Sequence, residues 1–219
     1  MSGVLESVPA SPASPSTGAI AAPKPIAPAS TAIAATLAAP TATFTGTSQT
    51  APQPFPVAGG LVTWAAKYTG TSNFSVEVID PKGALAALLV NNVGAYAGTG
   101  AVHLDAASYS LKIDGDGSWN VAIAQPRHQV ALALPQTLKG QYPQVLGPFT
   151  IHGGARLAAT HDGNANFVVE VLDEDGALQD ASVNTIGAYN GSTTVGDLDG
   201  VYYVTVTSDG HWAVALSAL

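Results

Sequence analysis

Over most of its length the chain alternates apolar and polar residues with a period of two. Phe74, Val76 and Val78 alternate with Ser75, Glu77 and Ile79, and Tyr109, Leu111 and Ile113 alternate with Ser108, Ser110 and Lys112. Such a period places one side of a strand in a core and the other toward solvent. Turn sequences punctuate the runs. Asp80-Pro81-Lys82-Gly83 and Asp173-Glu174-Asp175-Gly176 are turns in which glycine supplies a positive φ. Asp114-Gly115-Asp116-Gly117 and Ser208-Asp209-Gly210 lie between alternating runs and read as hairpin loops. No stretch of these regions holds a 3.6-residue period. Roughly six to eight short strands, with turn signals about every 8 to 12 residues, predict an antiparallel β-sandwich.

The pattern occurs twice. Asn73 to Leu85 realigns with Asn166 to Leu178 at an offset of 93, with nine of thirteen positions identical. The same offset carries Gly94-Ala95-Tyr96 onto Gly187-Ala188-Tyr189, Tyr109 onto Tyr202, Asp116-Gly117 onto Asp209-Gly210 and Trp119 onto Trp212. Upstream, an offset of 94 places Pro54-Phe55 on Pro148-Phe149 and Gly59-Gly60 on Gly153-Gly154. One residue is therefore inserted or lost between Gly60 and Trp64. Each copy is long enough to be a domain. The expected organisation is an arm over residues 1–40, repeat 1 over 41–126, a linker over 127–134 and repeat 2 over 135–219. The expected fold class is all-β, with two tandem antiparallel sandwiches of jelly-roll or immunoglobulin-like type following an extended N-terminal arm.

Composition separates the arm from the repeats. Ala, Pro, Ser and Thr supply 35 of the first 50 residues, and only Glu6 and Lys24 are charged there. Seven prolines interrupt any helix, and so little apolar surface cannot offset the entropy of ordering the segment alone. An extended, partly polyproline-like arm is expected. The run from Ala32 to Ala39 is long enough for two helical turns and far too short to span a membrane. The first fifteen residues lack a basic and an apolar region, so export by the general secretory route is not expected for the chain as written.

Charge narrows the partners. The 219 residues carry seven basic and fifteen acidic side chains, a net charge of −8. Nucleic acid and anionic membranes are poor partners for such a chain. The absence of cysteine excludes disulfides, cysteine–zinc sites and thiol catalysis. Repeat 1 has five acids against three bases, and repeat 2 has nine acids against Lys139 and Arg156. The charge thus rests on repeat 2, while the arm is neutral and can lie on another protein without electrostatic penalty.

Taken together, these motifs resemble the β-sandwich repeats of bacterial and archaeal envelope proteins. The shared pattern is Asn-Phe-x-Val-Glu-Val, then Gly-Ala-Tyr, then Asp-Gly-x-Trp-x-Val. Trp119 to Pro126 also matches the Gln-Pro ending of that group, which repeat 2 lacks. Similar sandwiches serve as decoration-type surface modules of bacteriophage virions. The resemblance implies a fold and no catalytic residues.

A search for chemistry finds little. The five histidines (His103, His128, His152, His161 and His211) occupy no matching repeat positions and are expected to be exposed or loop imidazoles. The acidic turns lack the spaced ligands of a twelve-residue calcium loop, so hairpin turns are the reading adopted. No nucleophile elbow, phosphate loop or dinucleotide fingerprint occurs, and the paired carboxylates Glu77/Asp80 and Glu170/Asp173 belong to the repeated strand-turn pattern. No enzyme, cofactor or metal is expected. Trp119 and Trp212, matched between copies, are expected in the cores. Tyr203, which aligns with Ser110, follows the inward series Tyr202, Val204 and Val206 and should face outward as a contact residue.

Two functions fit this sequence. The first is a structural protein of an assembled particle, a bacteriophage virion decoration, minor-capsid or fibre-type protein. Its partners are other structural subunits held through the arm, with Pro23, Pro25, Ile26, Pro28, Ile33 and Leu37 as contact residues beside Tyr203. A homo-oligomer is compatible with this reading. The second is a secreted or envelope-attached module that binds glycan on a host or cell surface.

Overall fold

The structure is a computed structural model that describes residues 41–49, 53–127 and 129–219. Among these residues there is no helix, and therefore none long and apolar enough to cross a membrane. Repeat 1 contains β1 (Ala42–Gly46), β2 (Gln53–Tyr68), β3 (Asn73–Ile79), β4 (Leu85–Val93), β5 (Tyr96–Asp114) and β6 (Trp119–Ala124). A short β7 (Leu132–Ala133) follows, then β8 (Gln136–Gly140), β9 (Gln144–His161), β10 (Asn166–Asp173), β11 (Leu178–Ile186), β12 (Tyr189–Thr207) and β13 (Trp212–Ala218). The strand order is β1-β6-β2-β5-β3-β4 in the first sheet and β8-β13-β9-β12-β10-β11 in the second, antiparallel throughout. β7 pairs parallel with β9 beside the second sheet. The all-β tandem fold is thus as the alternation implies.

The strands are not all short, because two in each repeat run through both layers. β2 and β5 hold 16 and 19 residues, β9 and β12 hold 18 and 19. The second half of β2 pairs with β6, whereas the second half of β5 pairs with β3. Between them lies Gly59-Gly60, with φ of 90° and 89°, a backbone that side-chain-bearing residues rarely adopt. A glycine pair there lets the paired strands bend and carry one continuous sheet over onto itself. Gly153-Gly154 does the same in repeat 2, at φ of 70° and 111°.

Each folded sheet closes on its own core. Phe55, Phe74, Val76, Leu111, Val121 and Ile123 fill the first, and Phe149, Phe167, Val169, Val204, Val214 and Leu216 fill the second. Trp119 and Trp212 are buried, at 4% and 3% exposure, and each indole N–H donates to a carbonyl, of Ser48 and Tyr142, at 3.0 Å. A buried indole needs such a partner. The matched tryptophans are therefore core, as their duplication suggests.

The one-residue difference between copies has a structural address. Val62 pairs with Val102 and Ala155 with Val195, which makes Leu61 the additional residue of repeat 1. Repeat 2, lacking it, absorbs the mismatch as a bulge between Gly196 and Asp199, where Asp197 has a φ of 54°.

Candidate functional site

The histidines and carboxylates fall into local structural roles. Asp80 and Asp173 close their own turns: Asp80 Oδ1 accepts the N–H groups of Lys82 and Ala84 at 2.8 Å, and Asp173 Oδ1 accepts those of Asp175 and Ala177 at 2.9 Å. Among the described residues no group of three or more His, Asp or Glu side chains is placed to share a metal ion.

Asp116 and Asp209, equivalent in the two repeats, each tie a hairpin loop to the loop ahead of the Asn-Phe strand. Asp116 accepts the N–H groups of Thr71 and Ser72 at 3.2 and 3.3 Å and the hydroxyl of Tyr68. Asp209 accepts those of Asn164 and Ala165 at 3.0 and 2.9 Å. The Tyr68 hydroxyl, assisted by these amides, holds the Asp116 carboxyl down at about 2, and its amide bonds hold Asp209 below the usual carboxylate range. A carboxylate depressed in the folded state stabilises the fold fully above its unfolded value, about 3.9, and loses that contribution as pH falls toward 2. Asp116→Asn is therefore expected to flatten the fall in melting temperature between about pH 4 and 2. Thermal unfolding across that range checks it, and equal slopes in variant and native protein would contradict it.

His161 corrects the expectation of exposed histidines. It is 4% exposed and stacks on Phe167 at 4.5 Å and 5°, where repeat 1 stacks Tyr68 on Phe74 at 4.4 Å and 6°. Its Nδ1 donates to the Gly187 carbonyl at 2.9 Å, and Nε2 faces Asp209 at 3.3 Å. It is thus a core ring that substitutes for a tyrosine and faces the equivalent carboxylate, without the hydrogen bond that Tyr68 makes to Asp116. His152 and His211 pair with Asp199 and Asp162 at the surface, at 2.6 and 3.2 Å, and His128 lies outside the described residues.

The side chains that differ between the copies meet at the junction of the repeats. Leu61, Val145, Leu172 and Tyr203 form a buried cluster with Ala101 packed against it. Tyr203 does point away from the core of its own repeat, but it is 6% exposed because repeat 1 covers it. Its ring offers no free surface, which corrects the reading of Tyr203 as an exposed contact. Burial pushes its phenol up to about 12, with the Glu174 charge adding to the effect. Polar contacts frame the cluster. Thr99 N–H donates to the Pro143 carbonyl at 2.9 Å, Val145 N–H donates to Thr99 Oγ1 at 2.9 Å, and His103 Nδ1 donates to the Asp175 carbonyl at 2.6 Å. That last bond is the main cause raising His103 above its ordinary value. Gly176, at φ 84° against 86° for its counterpart Gly83, lets the acidic turn sit against Leu61 and the His103 backbone, 3.1 and 3.3 Å from where a Cβ would project.

Beside this cluster is a cavity of about 200 Å³. Trp64, Leu88, Leu89 and Thr99 line it from repeat 1, and Glu170 and Thr205 from repeat 2. Leu88 is 51% exposed. Sequence reasoning missed this junction. The signal available was the set of unmatched positions, Tyr203 against Ser110 and the extra residue after Gly60. The arm residues Pro23, Pro25, Ile26, Pro28, Ile33 and Leu37 lie outside the described residues.

No family model matches the chain, and no curated protein matches it either. Solved all-β structures similar to it include a conserved protein of unknown function from Pseudomonas aeruginosa PAO1, at 15% identity over 81% of this chain and 80% of that one, with a TM-score of 0.25. The PBSX exported protein XepA shares 11% identity over 81% and 87% of the two chains, at a TM-score of 0.26. The stem and receptor-binding domain of the spike protein P1 from bacteriophage PM2 shares 7% over 80% and 95%, at 0.19. Likenesses this distant carry no argument about what the chain does.

Proposed function

We propose that the chain is a non-enzymatic structural protein of an assembled particle, a bacteriophage virion decoration, minor-capsid or fibre-type protein. Residues 1–40 attach it to neighbouring subunits, and the joined sandwiches project outward. The observation that carries this reading is the polarity of the chain. A neutral arm leads directly into β1, the edge strand of the first sheet, whereas repeat 2 carries nine acids against two bases. One end thus carries no net charge and can lie against protein at little electrostatic cost, and the other is strongly solvated and repels its like.

The test is occupancy. Particles assembled with a chain lacking residues 1–40 are expected to lose it, as read by quantitative mass spectrometry of purified particles. Occupancy equal to that of the full chain would contradict the reading.

A further inference from the structure

The duplication supplies an internal control for every charged group, and one carboxylate fails it. In repeat 1, Glu77 on β3 faces Lys112 on β5, and the two side chains pair at 3.0 Å. The equivalent pair in repeat 2 is Glu170 on β10 and Thr205 on β12. Among the described residues the carboxylate there has only a hydroxyl donor, at 3.2 Å. The cation has been lost from the copy whose glutamate lines the cavity at the repeat junction. Among the described residues, none that lines that cavity is basic. A partly buried carboxylate without a counter-charge is costly, and a cation brought to it from outside recovers that cost.

The remaining walls define what kind of cation. Leu88 and Leu89 give aliphatic surface, the half-exposed Leu88 beside it reaching solvent, and Trp64 adds an aromatic ring of the sort that attracts cations. Thr99 and Thr205 add hydroxyls. A volume near 200 Å³ suits a compact charge on a short alkyl stem. We infer that the junction cavity binds an alkylammonium group, the side chain of a lysine presented by a protein partner, with Glu170 as its counter-ion and Leu88, Leu89 and Trp64 around its stem. The site lies wholly within residues 64–207 and does not involve the arm. It goes beyond the particle reading, and the two stand or fall separately.

The experiment uses the full chain in solution and two probes, Nα-acetyl-lysine methylamide and the neutral Nα-acetyl-norleucine methylamide. Saturable shifts of the Trp64 indole and Leu88 methyl NMR signals are expected with the lysine derivative and not with the norleucine one. Glu170→Gln should weaken binding by about tenfold or more, the scale of a lost charge-assisted bond. Thr205→Lys, which gives repeat 2 the cation that repeat 1 already has, should fill the site and abolish binding. If Thr205→Lys does not fold, Glu170→Gln decides alone. Failure of the lysine derivative to saturate, equal binding of the norleucine derivative, or undiminished binding to Glu170→Gln would overturn the inference.

Discussion

Tyr203→Ser is expected to split the thermal unfolding of the full chain into two transitions. The substitution gives repeat 2 the residue that repeat 1 carries at the equivalent position, Ser110, and Ser110 is compatible with the strand, so the sandwich of repeat 2 should persist. What is lost is the ring that packs with Leu61, Val145 and Leu172 between the repeats. Removing a buried aromatic side chain costs about 3–5 kcal/mol, and here the loss falls on the contact between two bodies, not on either core. Two units with separate cores unfold together only while their interface is strong enough to couple them. Differential scanning calorimetry reads the result. A single transition at an unchanged midpoint would mean that the cluster contributes nothing to coupling. Burial pushes two phenols up to about 12, Tyr96 and Tyr203, so the variant should lose one of the two late-titrating tyrosines in a spectrophotometric titration.

Phe74→Ala is expected to have the largest effect confined to one repeat. Phe74 is 0% exposed and stacks face to face on Tyr68 at 4.4 Å, with Tyr96 against it at 6.2 Å. Truncation removes the middle ring of that series and leaves a cavity that neighbouring strands, locked by their ladders, cannot close. The expected loss is about 3–5 kcal/mol, a large share of what holds a domain of this size. Phe74→Leu, which keeps most of the volume, should cost much less. Urea unfolding of the three proteins checks the order, and a loss under about 1 kcal/mol for Phe74→Ala would show that the stack is not the centre of the core.

The fold was legible because alternation and turn chemistry are local. Phe74, Val76 and Val78 face inward as their spacing demands, and Asp80 and Asp173 close the turns that their sequences announce. Strand length was not legible, since Gly59-Gly60 looks like a break and is instead a bend within β2. The burial of His161 is hidden for a related reason. Its ring takes the place that Tyr68 has on a phenylalanine and faces the equivalent aspartate, a substitution of shape that residue polarity does not reveal. The alternation puts Tyr203 on the outer side of its strand, yet its cover comes from Leu61, more than a hundred residues away. Long-range contacts of that kind leave no periodic trace. They do leave an asymmetry between copies: Leu61 has no counterpart, His103, Thr205 and Tyr203 differ from theirs, and all four stand at the junction.

We expect these differences to join the two duplicated sandwiches into one body. Backbone ¹⁵N relaxation of the full chain measures it directly, because it reports the tumbling of each repeat separately. A single rotational correlation time shared by residues of both repeats, separating into two shorter ones in Tyr203→Ser, is the predicted result. Two independent correlation times in the native protein would contradict it.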